Sequence, residues 1–183
     1  MNLVIYNLLI LILLPVFGFR IIIKSISDKD YRRNFLQRFG YNLSPIVRTN
    51  KKVIWFHAVS LGEVIGSQGI INKLLKDFEV IITTTTPSGH RRAKEIFNDG
   101  IVINFMPWDF YPFINRFINF YKPQGILIFE TEIWPSMISC AYKKDIPLYL
   151  VNGRLSQKSY KAYSMFFWLV KKILSQVTFY FVQ

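Results

Sequence analysis

Short apolar runs alternate with helical patterns from Val53 to Val182, and this alternation leaves the chain few folds to choose from. Val53–Phe56, Glu79–Thr84, Ile101–Phe105, Gly125–Phe129, Pro147–Val151 and Val177–Val182 read as strands. Val64–Phe78, Gly89–Asn98, Tyr111–Tyr121, Ile133–Lys143 and Ser156–Ser175 read as the helices between and around them. Such a succession implies right-handed βαβ units and a parallel sheet, whose strands are covered on both faces. The expected class is α/β, a Rossmann-like parallel sheet. The G-x-G-x-x-G fingerprint does not follow the first strand, which argues against a plain NAD-dependent enzyme.

A different kind of segment precedes the alternation. Leu3–Phe19 is apolar apart from Asn7, and Arg20 closes it. A run of about 17–20 apolar residues suffices to cross a hydrocarbon core. A signal peptide would carry its positive charge before the apolar run, whereas Lys24, Lys29, Arg32, Arg33 and Arg38 all follow it. The positive-inside rule then puts the rest of the chain in the cytoplasm. Residues 1–23 are read as a membrane anchor, and Pro15 and Gly18 leave a half-inserted form open. Residues 24–50 are read as a basic linker, with an amphipathic helix at Tyr31–Phe39 and a turn-rich loop after it. Residues 51–183 form the Rossmann-like domain, and 183 residues suit one such domain with an appendage.

Charge narrows the partners. Lysine and arginine number 23 against 11 acids, net +12, which favours nucleic acid, a phospholipid surface or a phosphorylated substrate. The basic residues are dispersed and no nucleic-acid motif is present, so nucleic acid is set aside. Aromatic residues at 17% suit a protein working against a membrane. A lone Cys140 excludes a disulfide framework and fits a reducing compartment. The two histidines lie far apart with no Cys/His ligand spacing, so no metal site is expected.

Four strand-to-helix handovers carry polar groups, and in a parallel sheet all lie on the edge where ligands bind. They are His57-Ala58-Val59-Ser60-Leu61-Gly62-Glu63, Thr83–Gly89 followed by His90-Arg91-Arg92, Glu130-Thr131-Glu132-Ile133-Trp134-Pro135, and Asn152-Gly153-Arg154-Leu155-Ser156. Each has a plain reading and a functional one. Ser60-x-x-Glu63 is a capping box, or Glu63 is a base. Glu130 and Glu132 precede a helix, whose dipole favours acids by roughly 0.3–1 kcal/mol without any function. Thr86–Gly89 opens a helix whose free N–H groups, with Arg91 and Arg92, suit a phosphate, or it is an ordinary cap. Arg154 pairs with Glu130 or Glu132, or meets substrate. His57 reads as packed at a strand end, and His90 as an exposed first-turn residue. Their convergence on one edge, beside an anchor and excess positive charge, points to a carboxylate base facing a phosphorylated, membrane-embedded acceptor.

These motifs, His57-Ala58-Val59-Ser60-x-Gly62-Glu63, Ile82-Thr83-Thr84-x-Thr86-Pro87-x-Gly89, Glu130-Thr131-Glu132-x-Trp134-Pro135 and Asn152-x-Arg154-Leu155-Ser156, resemble those of the 3-deoxy-D-manno-octulosonic acid (Kdo) transferases of lipopolysaccharide synthesis. Pro107-Trp108-Asp109 resembles the family's Pro-Tyr-Asp with an aromatic exchange. The resemblance implies the N-terminal, acceptor-binding half of a GT-B glycosyltransferase that moves Kdo from CMP-Kdo to the lipid A precursor, lipid IVA. It implies Glu63 as general base and Glu130 as the group stabilising the transition state. It places acceptor contacts at Ser60, Gly62, Thr86, Ser88, Gly89, Arg91 and Arg154. It implies no metal and no cofactor beyond the donor substrate, and a site at the cytoplasmic side of the bacterial inner membrane, among anionic lipids. Gly153 stands where the family usually has alanine, and Thr85 where it often has methionine. On this reading the donor domain lies outside the chain or on a separate chain, and these residues alone are expected to be inactive. Phe166, Phe167, Trp168, Phe179 and Tyr180 are expected at the junction with it. A non-catalytic membrane protein that binds lipid or a partner is the alternative.

Overall fold

The computed structural model describes residues 3–47, 49–97, 101–154 and 167–182, together with residues 157 and 164. The sheet consists of β1 (Lys52–His57), β2 (Phe78–Thr84), β3 (Val102–Phe105), β4 (Gly125–Phe129), β5 (Leu148–Gly153) and β6 (Phe179–Val182). Helices α2 (Leu61–Asp77), α3 (Pro87–Phe97), α4 (Tyr111–Tyr121), α5 (Pro135–Lys143) and α6 (Phe167–Leu174) join the strands, and α1 (Leu3–Ser27) precedes them. All strand pairs are parallel, in the order β3-β2-β1-β4-β5-β6. This is the doubly wound Rossmann order, and it reverses direction between β1 and β4.

Successive strand side chains point to opposite faces, so neighbours in the same apolar run enter different cores. Trp55, Ile81, Ile126, Ile128 and Leu150 pack with Phe117, Tyr121, Met137 and Ile138 of α4 and α5. Phe56, Val80, Ile82, Ile103 and Phe129 pack with Val64 and Ile71 of α2 and Ala93 and Phe97 of α3. Trp55 is fully buried, with its ring 4.4 Å from Phe117 and its indole N–H donated to Thr83 Oγ1 at 2.8 Å.

From β1 onward the described elements agree in type with the sequence reading, and the boundaries shift by a few residues. α2 starts at Leu61 rather than Val64 because Ser60 caps it. α1 runs past Phe19 and takes in Arg20 and Lys24, since Ile21-Ile22-Ile23 offers no stop signal before Asp28. At about 1.5 Å per residue it is roughly 37 Å long. Its 25 residues, with an 18-residue stretch of mean hydropathy 2.3, are long and apolar enough to cross a membrane. The linker is not an α-helix. Asn34 and Gly40 adopt left-handed backbone and confine the segment to two short 3-10 turns, Lys29–Tyr31 and Phe35–Phe39. Nor is it loose: Gln37 and Arg38 are buried, Gln37 Oε1 accepts from Phe105 N–H, and Arg38 donates to Thr85 O. Of the last expected helix, α6 is described over Phe167–Leu174, and Ser156 and Phe166 lie outside the described residues. Phe167, Phe179 and Tyr180 are exposed, at 54%, 58% and 44%.

Candidate active site

The reversal of strand order lies between β1 and β4, the place where open α/β sheets bind ligands, and the chain brings carboxylates to the carboxyl ends of both strands. From the β1 side, Ser60 caps α2 and Glu63 lies in its first turn. The Glu63 carboxylate folds back over its own helix start. Oε1 accepts from the Ser60 hydroxyl at 2.9 Å and Oε2 from the Val59 N–H at 2.8 Å. The capping reading of Ser60-x-x-Glu63 is therefore realised, with Val59 N–H in place of the cap residue's own. Glu63 is 7% exposed. Burial raises its pKa, the hydrogen bonds from Val59 and Ser60 oppose that rise, and the Glu130 charge adds to it. Gly62 sits one residue earlier with open space where a side chain would stand.

From the β4 side come Glu130 and Glu132. Glu130 has φ +64°, left-handed backbone that few non-glycine residues adopt, and its N–H bonds to Val151 O at 2.8 Å. Asn152, at the end of the adjacent strand, is also left-handed at φ +61°. Glu132 is pushed up to about 7, first by burial and then by the charges of Glu63 and Glu130. Three carboxylates thus share one electrostatic neighbourhood at the ends of β1 and β4.

The second handover joins the first from the side. Thr86 Oγ1 accepts from Gly89 N–H at 3.1 Å and from the Ser88 hydroxyl at 3.3 Å, capping α3. A Cβ on Gly89 would stand 3.1 Å from Ser60 C and 3.3 Å from Leu61 N, so only glycine lets the starts of α2 and α3 meet.

Several residues stand elsewhere than the sequence suggests. Arg91 turns away from the α3 start and pairs with Asp28 and Asp30 of the linker, because i+2 on a helix faces another side. Arg92 pairs with Glu95. His90 is buried rather than exposed, stacked on Phe105 at 4.4 Å and held at about pKa 4 by burial. Among the described residues no ion pair joins Arg154 to Glu130 or Glu132, and its carbonyl accepts from the Thr131 hydroxyl. Leu155 and Ser156 of that motif lie outside the described residues. His57 packs as expected, edge-on to Trp134 and bonded to Thr83, and burial holds it at about pKa 4.

Asp109 is the residue that sequence reasoning undervalued. It is buried, and it accepts from Ser136 N–H and Met137 N–H, both at 2.9 Å, so it caps α5 from a distant loop. Tyr6 of α1 donates to the same carboxylate at 2.8 Å. The hints were an acid in a short loop between strand and helix and its place in the Pro107-Trp108-Asp109 motif, which gave it no role. A cavity of about 500 Å³ lies at the opposite edge, lined by Lys51, Phe78 and Ile101 among others. It holds none of these groups, and its Glu79 is engaged by Thr49 N–H.

Residues 33–183 match the family model described as 3-Deoxy-D-manno-octulosonic-acid transferase (kdotransferase). The chain belongs to this family. Among curated Kdo transferases, one from Haemophilus influenzae is 33% identical over 161 residues, 86% of this chain and 38% of that protein. A probable mitochondrial Kdo transferase of Arabidopsis thaliana is 40% identical, covering 70% of this chain and 29% of its own. One from Rickettsia bellii is 29% identical over 94% of this chain and 42% of its own. The chain thus spans from 29% to 42% of these relatives' length. A solved UDP-GlcNAc 2-epimerase from Neisseria meningitidis covers 67% of this chain, and 38% of the epimerase is covered. At 17% identity and a TM-score of 0.48 that likeness carries no conclusion. The matched Kdo transferase region contains Glu63, Thr86, Asp109, Glu130 and Glu132, the groups that the fold gathers round β1 and β4.

Proposed function

We propose that this chain is the acceptor-binding half of a Kdo transferase in lipopolysaccharide synthesis, held at the cytoplasmic face of the inner membrane. The observation that carries the reading is the meeting of Glu63 with Glu130 and Glu132 at the reversal point of the sheet, within a family match. The donor, CMP-Kdo, is bound by sequence outside residues 1–183, on the same polypeptide or a second chain. The acceptor is the lipid A precursor. No metal or cofactor is assigned.

In this reading Glu63 accepts the proton of the acceptor sugar hydroxyl as that oxygen attacks the anomeric carbon of Kdo and CMP leaves with the bonding pair. A hydroxyl is a poor nucleophile at neutral pH, and a positioned base contributes about 10²–10⁴-fold. The raised Glu63 pKa supports the role, since a higher pKa makes the carboxylate a stronger base. Each carboxylate oxygen has two acceptor positions, so the bonds to Ser60 and Val59 leave room for a third partner. The strained backbone at Glu130 supports a functional position, since such conformations gather at active sites. Ser60, Gly62, Thr86, Ser88 and Gly89 line the converging helix starts where a phosphate of the acceptor would find N–H donors. Arg154 is kept as an acceptor contact. Arg91 reaches the acceptor only by exchanging its linker acids for the acceptor's charge.

Glu63→Gln in the full-length enzyme tests this. Glutamine can accept from Val59 N–H through oxygen and donate to Ser60 Oγ through nitrogen, so the cap survives while the base is lost. Turnover is expected to fall about 10²–10⁴-fold with the melting temperature kept. Unchanged turnover would leave Glu63 a cap alone.

A further inference from the structure

We infer that α1 lies flat along the membrane surface as a wall of the folded domain, rather than crossing the bilayer. Its environment repeats with the helix. The half-buried positions include Tyr6, Asn7, Ile10, Leu14, Phe17 and Ile21, and the series continues to Ser25. Steps of one, three and four residues keep one stripe against the protein over the entire length.

Polar bonds fix both ends of that stripe. Tyr6 donates to Asp109, and Asn7 Oδ1 accepts from Tyr111 N–H at 2.7 Å and from the Ser136 hydroxyl at 3.4 Å, so residues 6 and 7 plug into the starts of α4 and α5. Midway, the ring of Phe17 stands 6.2 Å from Trp108. At the far end Asp28, directly after the helix, pairs with Arg91 of α3. A helix crossing a core about 30 Å thick carries one end to the opposite face, and those bonds to one domain could not then all persist.

The occupant of the free side is a bilayer carrying anionic lipid. A second stripe, Ile5, Leu8, Ile12, Val16, Phe19 and Ile26, is exposed, from 49% to 81%. Four residues apart on the flank between the stripes, Arg20 and Lys24 are exposed, placed to reach lipid phosphates while the apolar side enters the acyl boundary. The net charge of +12 has the matching sign. Because Asp109 also caps α5, which starts just after Glu130 and Glu132, the same bonds tie the membrane surface to the candidate site.

The test needs no enzyme activity and is independent of the Kdo reading. Full chains with Cys140→Ser receive one new cysteine, either ahead of Met1 or as Lys73→Cys on α2. Sealed inner-membrane vesicles from expressing cells are treated with a membrane-impermeant maleimide, with and without detergent. Both cysteines are expected to react from the same side. Loss of labelling at the N-terminal cysteine while Lys73→Cys still labels, or the reverse, overturns the inference. An Ile12→Cys chain that forms a disulfide dimer without any membrane also overturns it, because a second copy would then cover the stripe.

Discussion

Asp109→Asn separates the cost of burying a charge from the value of the bonds it accepts. The Asp109 carboxyl is pushed up from 3.8 to about 6 by burial, against the hydrogen bonds from Ser136, Tyr6 and Met137. A raised carboxyl contributes stability that is complete below its unfolded pKa and is lost as pH rises through the folded value. That gap amounts to about 2–3 kcal/mol between pH 4 and pH 7 at 1.36 kcal/mol per pKa unit. Asparagine has no such loss, but its single oxygen cannot serve both Ser136 N–H and Met137 N–H. One helix-start donor is left facing an NH₂ group, at about 1–3 kcal/mol. The variant is therefore expected to be clearly less stable than wild type at pH 4, and the deficit should shrink by about 2–3 kcal/mol by pH 7. Urea unfolding of the full chain in mild detergent, followed by tryptophan fluorescence, measures both values. A deficit that stays constant or widens with pH would refute the reasoning.

Glu132 is raised from 4.5 to about 7, so its contribution too is complete in acid and fades as pH rises through 7. Glu132→Gln should melt higher than wild type at pH 8.5 and close to it at pH 4. Gly89→Ala places a methyl group against the Ser60 and Leu61 backbone, which cannot move aside, and should cost about 1–3 kcal/mol by thermal unfolding. Trp55→Ala removes a fully buried ring and the indole N–H bond to Thr83 Oγ1, and a loss of about 3–5 kcal/mol is expected in the same assay.

The apolar runs and the periods between them were enough to name the layers. A strand buried on both faces cannot look like anything but a continuous apolar run, and Val53–Phe56 and Gly125–Phe129 are such runs. The Ser60 cap, the Glu63 turn and the opening of α3 at Thr86 were also legible, because caps depend on neighbours three residues away. Family membership rested on the same local motifs.

What lay beyond local spacing was decided only in three dimensions. That Glu63, Glu130 and Glu132 come within electrostatic reach follows from the pairing of β1 with β4, which no single segment encodes. Arg91 found Asp28 and Asp30 some sixty positions earlier, and His90 found the face of Phe105, because packing set their surroundings. Asp109 acquired its role from bonds to residues 27 and 28 positions later and to Tyr6 103 positions earlier. Hydropathy fixes that α1 is apolar, but only its stripe of contacts decides which side it turns to the protein. The physical reason is common to all of these: helical and strand periods are written in near neighbours, whereas charge burial and long-range pairing exist only once the chain has closed on itself.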